Sequence, residues 1–485
     1  MTGRERVQRR LAGLLITGAL FPASMASADD LRGALVAAYN TNPTLQAQRA
    51  LQRATDEGVP LARADGLPSL SASVSETEYV RQSPLSGTDL PRMLGVNSTL
   101  TVPVYSGGGV RNAIHAAQTR VDAGKADLRS TESSVFAQTV AAYLDVMRTE
   151  AIVRLNRAQV ETLKFDLSMT SDRFQIGDLT RTDVAQSQSR LAVAQGNLRT
   201  AEANLVSARE TYIQVIGQPP ENLASPPPLA GLPASVEDAV SIALDNSPDL
   251  VGARQRAKAA SFDVSSARAS RLPKVSVFAD GSYTNYLGSL GYADLAANGI
   301  PQHYSTADVG VRATIPIFQG GRPAAQVRQA QARESQAQEQ SIGTERAVIA
   351  QARSAWSTWA AANDVITSSQ VAVDSAQLSL EGVRAENSVG NRTVLDILNA
   401  EQELVNAQVT LVTARRNAYV AGFNLLVTMG RAQARDLGFD EAAIYNPDQH
   451  YRQTRNSLWD WGEDAKTAPK STRTVDTPAQ SGSIP

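Results

Sequence analysis

The stretch Thr101-Val-Pro-Val-Tyr-Ser-Gly-Gly108 returns 213 residues later as Thr314-Ile-Pro-Ile-Phe-Gln-Gly-Gly321. In both copies, residues that alternate between apolar and polar lead into a proline, an aromatic residue and a pair of glycines. A period of two residues is typical of a β-strand, and glycines relieve backbone strain where the chain bends sharply. The stretch therefore predicts a strand that bends into the next element, built twice in one chain.

Other landmarks recur around this stretch in the same order. Several landmarks in one order are improbable by chance, so they indicate an internal duplication. The matched pairs are Asn42-Pro43 with Ser247-Pro248, Leu67-Pro68 with Leu272-Pro273, Gly177 with Gly390, and Ile216-Gly217 with Met429-Gly430.

The duplication divides the chain into segments. We assign residues 29–217 to repeat 1 and residues 234–430 to repeat 2, each with the order helix, two strands, long helix, helix. A proline-rich linker, residues 218–233, separates them. Residues 431–485 are expected to form an equatorial segment and a polar C-terminal tail, and the polar composition from about residue 446 predicts disorder.

The N-terminus predicts an export signal. Basic residues precede the apolar residues 11–21, and Ala26-Ser27-Ala28 follows. This order is typical of a secretory signal peptide, and the apolar run is too short to span a bilayer. We expect residues 1–28 to be removed, with an amphipathic N-terminal helix as the alternative. No later apolar run approaches the roughly 18 residues of a membrane-spanning helix, which leaves the periplasm, the exterior or an outer-membrane β-barrel.

Composition excludes several classes of function. Lys plus Arg is 46 and Asp plus Glu is 48, so the chain lacks the basic excess of a nucleic-acid binder. With no cysteine there is no thiolate metal site or thiol nucleophile, and the three scattered histidines predict no metal cluster. No nucleophile, base and acid lie in a recognisable pattern. We therefore expect no enzyme activity, no cofactor and no nucleic-acid partner.

Four segments alternate with a period of two residues, two in each repeat. They are residues 69–75, 96–104, 275–277 and 308–317. Strands of about ten residues suit a tilted membrane span, although a half-buried hairpin in a soluble sheet has the same period. Four strands leave two unpaired edges, which hydrocarbon does not tolerate, so a membrane location requires an oligomer. Three copies give 12 strands and two give 8; the polar Ser, Thr and Asn of the other face suggest a water-filled bore and favour three.

The helical segments have matched lengths. Residues 110–173 and 323–386 contain no interior proline, and each would extend ~95 Å as a helix. In repeat 1, residues 43–67 and 179–216 give ~37 and ~57 Å, which together match one long helix. The pattern therefore predicts antiparallel columns of equal length, in which two shorter helices stack end to end beside one long helix.

These landmarks resemble the TolC family of outer-membrane efflux and type I secretion channels. The resemblance covers roughly residues 30–435 and implies a membrane α/β fold. In that fold a trimeric 12-stranded outer-membrane β-barrel, four strands per chain, is continued by a long α-helical periplasmic barrel. The motifs that carry the resemblance are Asn40-Thr-Asn-Pro43, Leu67-Pro68, Thr101-Val-Pro-Val-Tyr-Ser-Gly-Gly108, Phe174-x-Ile-Gly177 and Val389-Gly-Asn-Arg-Thr-Val-Leu-Asp396.

The resemblance also implies a function and partners. It describes a passive channel-tunnel, gated at its periplasmic end, in the outer membrane of a Gram-negative cell. Its substrates are drugs or secreted proteins, delivered by an inner-membrane ABC or RND transporter through a periplasmic adaptor (membrane fusion) protein. The implied contacts are the homotrimer, those two proteins and outer-membrane lipid. The alternative is a soluble periplasmic coiled-coil adaptor or scaffold protein, which the Ala- and Gln-rich helices suggest and the alternating hairpins disfavour.

The breaks after the long helices are candidate functional sites. Gly177 and Gly390 suit a left-handed turn between two helices. The resemblance places these turns at the periplasmic tips, where the tunnel entrance and the adaptor contacts lie. Thr180-x-x-Asp183 and Thr393-x-x-Asp396 match the capping box of a helix N-terminus, so a purely structural role for both aspartates stays open.

The resemblance assigns specific roles near these turns. Asp396 matches the outer of two acidic positions that ring the entrance, and the inner position is Asn399, so a trimer would carry three ring charges rather than six. Asp183 and Arg392 match a pair that holds the entrance shut, although Arg392 could equally be a solvated loop cation. Asn387 occupies the place of the latch tyrosine.

The strand-to-helix junctions are a further candidate site. Pro103 and Tyr105 in repeat 1 match Pro316 and Phe318 in repeat 2. The two aromatic residues suit an interfacial girdle around a barrel, and packing across the junction is the alternative. The adjoining glycines are not a phosphate-binding loop, because no Lys-Ser/Thr pair follows them.

Overall fold

The computed structural model describes residues 30–81, 92–289, 299, 301–440, 443–463 and 468–484. The predicted signal peptide, residues 1–28, lies outside the described residues. The elements of repeat 1 are α1 (Leu31–Thr41), α2 (Pro43–Asp56), α3 (Gly58–Ala64), β1 (Ser69–Glu78), β2 (Arg92–Tyr105), α4 (Gly109–Gln175) and α5 (Arg181–Ile216). Those of repeat 2 are α6 (Val236–Asn246), α7 (Pro248–Ala269), β3 (Lys274–Asn285), β4 (His303–Thr314), α8 (Arg322–Ser388) and α9 (Val394–Thr428), and α10 (Asp448–Thr454) follows.

The two long helices, α4 and α8, define the molecule's length. Each has 67 residues, or ~100 Å at the rise of an α-helix. Each begins directly after a glycine with positive φ, Gly108 at 80° and Gly321 at 82°. The repeated Gly-Gly of the sequence is therefore the point at which each strand's backbone bends into a long helix, as predicted.

The shorter helices stack as the length arithmetic predicts. Both α7 and α9 pack between α4 and α8, so they share one column. Likewise α2, α3 and α5 all pack against α4 and form another column. The single helix expected over residues 43–67 is wrong in one respect, since it divides at Gly58. Pro60 lacks the N–H that a continuous helix would donate to the carbonyl of Asp56.

The four strands form one antiparallel sheet in the order β1-β2-β3-β4. The β2–β3 pairing joins the two repeats, with Thr101 opposite Phe278. Only β1 and β4 have a free edge within the described chain. Apolar side chains at alternate positions of these two strands, Val74 in β1 and Val309 in β4, are exposed. The sheet is therefore complete only when other copies pair with both edges.

The main apolar core lies at mid-height of the helices. Phe136 of α4 stacks on Tyr39 of α1 at 6.0 Å between ring centroids. Phe439, in the segment after α9, meets Tyr39 edge-on at 5.7 Å. We call the buried residues around these rings the equatorial cluster; it also includes Tyr143 and Tyr212. Core packing is thus concentrated where the shorter helices end.

The prediction of a disordered C-terminal tail is wrong for residues 446–463 and 468–484, the part of the tail that the structure describes. The tail forms α10 and later returns along α5. The Arg209 guanidinium donates hydrogen bonds to the carbonyl oxygens of Ser481 and Ser483, at 2.7 and 3.1 Å. Ile484 packs against the equatorial cluster. The tail is held mainly by hydrogen bonds to helix side chains, which its polar composition does not reveal.

Membrane-spanning helices are not found in the part of the chain that the structure describes. None of these helices carries an apolar stretch long enough to cross a membrane.

Candidate functional site

Both long helices end in the same glycine turn. Gly177 and Gly390 have φ values of 83° and 82°. After α4 the N–H of Asp178 reaches back to the carbonyl of Arg173 at 2.9 Å, and after α8 Asn391 reaches Glu386 at 3.0 Å. These bonds satisfy the last carbonyls of each helix, and the positive φ that they need favours glycine. A Cβ at either glycine would meet no atom within 4 Å, so conformation rather than space requires glycine.

The helix that follows each turn begins with a capping box. The Thr180 N–H donates to the Asp183 carboxylate at 2.9 Å, and the Asp183 N–H donates to the Thr180 hydroxyl at 3.3 Å. Thr393 and Asp396 repeat both bonds at the same distances. Both aspartates therefore have the structural role that the motif predicts.

The same bonds keep the two carboxylates charged. Side-chain and backbone hydrogen bonds from Thr180 lower the pKa of Asp183. The backbone N–H of Thr393, followed by its hydroxyl, lowers the pKa of Asp396. A carboxylate that accepts these bonds is stabilised in its ionised form. Capping and a charged entrance are thus compatible roles for one residue.

Asn399, assigned to the second ring position, lies one helical turn after Asp396. Its Oδ1 accepts a hydrogen bond from Arg190 of α5 at 2.5 Å. Asn399 therefore links α9 to α5 within one chain, and its side chain is uncharged.

Asp183 and Arg392, the predicted latch pair, do not bond to each other within the chain: each has a different partner. Arg392 Nε donates to Glu386 across the turn at 2.7 Å, and Glu386 is the main cause of the raised pKa of Arg392. Asn387 donates to the carbonyl of Arg392 at 2.7 Å. The Asp183 carboxylate accepts its hydrogen bonds from the backbone N–H and the hydroxyl of Thr180. A link between Asp183 and Arg392 stays a prediction, and it has to compete with Glu386.

A buried charged cluster that sequence reasoning missed lies above the tips. Glu401 of α9 is only 2% exposed, and its Oε1 accepts a hydrogen bond from Arg384 of α8 at 2.6 Å. Asp166 of α4 lies beside it. Oδ2 of Asp166 and Oε2 of Glu401 are both buried, and neither has another hydrogen-bond partner. One proton held between these two oxygens would satisfy both.

Burial sets the titration of this cluster. It raises the pKa of Glu401 to about 7, and the neighbouring Asp166 charge acts in the same direction against Arg384. Burial also raises the pKa of Asp166. Ionisation of both carboxyls in one site is unfavourable, because the two negative charges repel each other. The cluster thus joins three helices, α4, α8 and α9, through a group that titrates near neutral pH.

The strand-to-helix junctions differ in detail between the repeats. The β2–β3 register shifts between Pro103 and Tyr105, where proline offers no N–H to the ladder. Pro316 and Phe318 follow the end of β4, and Phe318 is 87% exposed. Tyr105 is exposed too. Neither ring is buried within one chain, and the girdle role and packing across the junction both stay predictions.

Metal ligands are not grouped in the described ranges. No set of three or more His, Asp or Glu residues there could hold an ion.

Comparison with known proteins identifies relatives of this chain. A family model described as "Outer membrane efflux protein" matches residues 34–218 and 239–431. The outer membrane efflux protein BepC of Brucella suis biovar 1 is 32% identical over 92% of this chain and 94% of its own length. The outer membrane protein TolC of Escherichia coli K12 is 27% identical, over 88% and 87% of the two chains.

Solved structures share the fold at lower identity. The outer membrane channel CmeC of Campylobacter jejuni superposes with a TM-score of 0.73 at 16% identity, over 88% of this chain and 89% of CmeC. The outer membrane protein VceC of Vibrio cholerae gives 0.69 at 22% identity, over 82% and 96%.

A four-stranded sheet continued by paired ~100 Å helices is the fold of an outer-membrane channel that extends into the periplasm. The chain belongs to the outer membrane efflux protein family. The predicted resemblance, the fold class of a trimeric barrel with a helical extension, the outer-membrane location and the channel function are confirmed. The soluble adaptor or scaffold is set aside.

The Glu401 cluster predicts a pH dependence of stability. Because the folded pKa is raised, protonated Glu401 stabilises the folded protein fully below pH 4.5, and this contribution is lost as the pH rises through about 7. Glu401→Gln mimics the protonated form. We expect its unfolding temperature to change less than that of the wild type between about pH 5 and about pH 8.

Glu403→Gln is the matched control, because Glu403 is an exposed glutamate on the same helix. Unfolding is followed by far-UV circular dichroism in detergent. Equal pH profiles for Glu401→Gln and the wild type would show that the cluster does not titrate in this range.

Proposed function

We propose that the helical tips form the gated entrance of the channel and dock onto a periplasmic adaptor that serves an inner-membrane ABC or RND transporter. The observation that carries this proposal is the pair of identical glycine turns, each flanked by an exposed apolar residue. Ile176 and Val389 precede the two glycines and are 80% and 70% exposed. The two repeats each leave one large apolar residue exposed at the equivalent turn, and such residues form a contact surface when assembly brings them together.

Charge at the tips supports a selective entrance. Three Asp396 carboxylates around one axis concentrate negative potential where the bore is narrow. The lowered pKa of Asp396 keeps this charge at neutral pH. Cations are attracted to such a ring, and multivalent cations bind it.

The names of the relatives describe transport and not a catalysed reaction. BepC is named for efflux, and the alkaline protease secretion protein AprF of Pseudomonas aeruginosa is named for protease secretion. Cargo of either kind, small molecules or proteins, is compatible with a passive duct. We further infer that the chain catalyses no reaction.

Docking is tested by site-specific photo-crosslinking in cells. A photo-reactive amino acid at Ile176 or Val389 is expected to crosslink to a periplasmic adaptor, because both side chains project beside the turns. Val80 is the control position. It is exposed and follows β1 at the end of the sheet that lies away from the helices. Absence of an adaptor adduct from both tips, with a functional channel, would refute docking there.

Asp396→Asn is expected to lower the cation selectivity of the pore and to weaken block by trivalent cations. The reason is the loss of three carboxylates from a narrow ring. Thr393→Ala is the matched control: it removes the hydroxyl of the capping box, which costs ~0.5–2 kcal/mol of stability, but keeps the charge. Reversal potentials in planar bilayers distinguish the two roles. Equal selectivity for Asp396→Asn and wild type would leave Asp396 only its capping role.

The latch prediction is tested with three residues. Arg392→Ser and Asp183→Ala are each expected to raise single-channel conductance, and the double variant should add less than the sum, because both remove one link. Glu386→Gln should lower conductance, since it frees Arg392 from its partner within the chain. If Glu386→Gln raises conductance as Arg392→Ser does, the Glu386 pair and not Asp183 restrains the entrance.

A further inference from the structure

The C-terminal tail exposes large apolar side chains in one short segment. Residues 458–461, which we call the tryptophan loop, contain Leu458, Trp459 and Trp461. Trp459 is 73% exposed and Trp461 is 84% exposed. The chain's other two tryptophans, Trp356 and Trp359, pack against the equatorial cluster. Such exposure marks the loop as a contact surface.

The helix before the loop runs towards the sheet. Asp448, the first residue of α10, pairs with Lys125 at 2.6 Å, ~24 Å along α4 from its start at Gly109. Tyr451, three residues on, packs against the cluster of Val59, Ala117 and Val121, of which the last two lie ~12 and ~18 Å from that start. α10 therefore runs from the level of Lys125 towards the strand-to-helix junction.

The next contact continues the same course. Arg63 at the end of α3 donates hydrogen bonds to the carbonyl of Arg455 and the side chain of Asn456, at 3.3 and 2.6 Å. β1 begins six residues after Arg63 at Ser69. Trp459 lies three residues beyond Asn456, a reach of ~10 Å. The tryptophan loop is therefore tethered within reach of the level at which β1 begins.

A further contact anchors α10, and a turn closes the loop that follows it. His450 Nδ1 lies 3.1 Å from the carboxylate of Asp56, which is fully buried in α2. The Gly462 N–H donates to the carbonyl of Trp459 at 3.2 Å and closes a turn over the loop. An anchored helix followed by a closed turn holds its side chains in a defined place.

We propose that the tryptophan loop inserts into the headgroup region of the outer membrane's inner leaflet. Tryptophan is enriched at membrane interfaces, where its ring has both apolar and polar contacts. Arg63, Arg452 and Arg455 flank the loop and suit the phosphates of the headgroups. Asp460 between the tryptophans limits the depth to the interface, because a carboxylate is costly in hydrocarbon. The proposal rests on the outer-membrane location and not on the gate or the adaptor.

The test uses the full-length assembly in lipid nanodiscs. Trp356→Phe with Trp359→Phe leaves the two loop tryptophans as reporters. We expect lipids with a spin label near the headgroup to quench most of their emission, and lipids labelled near the chain end to quench much less. The reciprocal variant, Trp459→Phe with Trp461→Phe, is expected to lose the quenching by the headgroup label.

The quenching differs if water or another copy of the chain, and not lipid, surrounds the tryptophan loop. Emission that labelled lipid leaves unchanged and iodide quenches would show a loop in water, and it would overturn the proposal. Emission protected from both lipid labels and iodide would place the loop against a neighbouring copy, which also overturns it. If replacement of Trp356 and Trp359 weakens the assembly, the single variants Trp459→Phe and Trp461→Phe in the otherwise native chain measure the same loss of lipid quenching. Bilayer conductance of the same samples reports channel function independently.

Discussion

Unpaired backbone groups in hydrocarbon are the constraint on which this structure depends. A sheet of four strands ends in the free edges of β1 and β4, and lipid offers neither edge a hydrogen-bond partner. Assembly of several copies is therefore part of the fold. The β2–β3 pairing places the two repeats side by side in the sheet, so each repeat contributes one hairpin and one long helix to the shared wall. Inside the chain the duplication pairs an edge of one hairpin with an edge of the other, and between chains oligomerisation pairs the two edges that remain.

The helical part follows from that wall. A strand that continues into a helix fixes where the helix starts, so α4 and α8 begin at equivalent glycines and run to equal lengths. A long thin wall has little interior, and its large buried rings are concentrated in the equatorial cluster, where the shorter helices stack. Elsewhere the helices rely on small residues and on polar links such as Arg384 to Glu401. Along α4 and α8 the tips lie beyond the last residues of the equatorial cluster.

The sequence predicts the features that depend on residues close together in the chain, and it misses those that depend on distant residues. The hairpins, the glycine turns and both capping boxes depend on residues close together in the chain, so spacing alone reveals them. The Glu401 cluster and the order of the tail depend on residues far apart in sequence, which no period records. Glu386 is an intermediate case, because its partner Arg392 lies six residues away across a turn. The sequence shows an acidic residue at this spacing, but the resemblance pairs Arg392 with Asp183 instead of Glu386.

In the proposed entrance, Asp396 would serve fold and function without conflict. A capping carboxylate needs hydrogen bonds from the helix N-terminus, and those bonds lower its pKa. A selective entrance needs a carboxylate that stays ionised in a crowded ring, where like charges raise the pKa. The two effects oppose each other, so the cap would supply the stabilisation that the proposed ring requires. Asp183 has the same cap in repeat 1, so both repeats hold a carboxylate whose pKa is lowered by its own helix N-terminus.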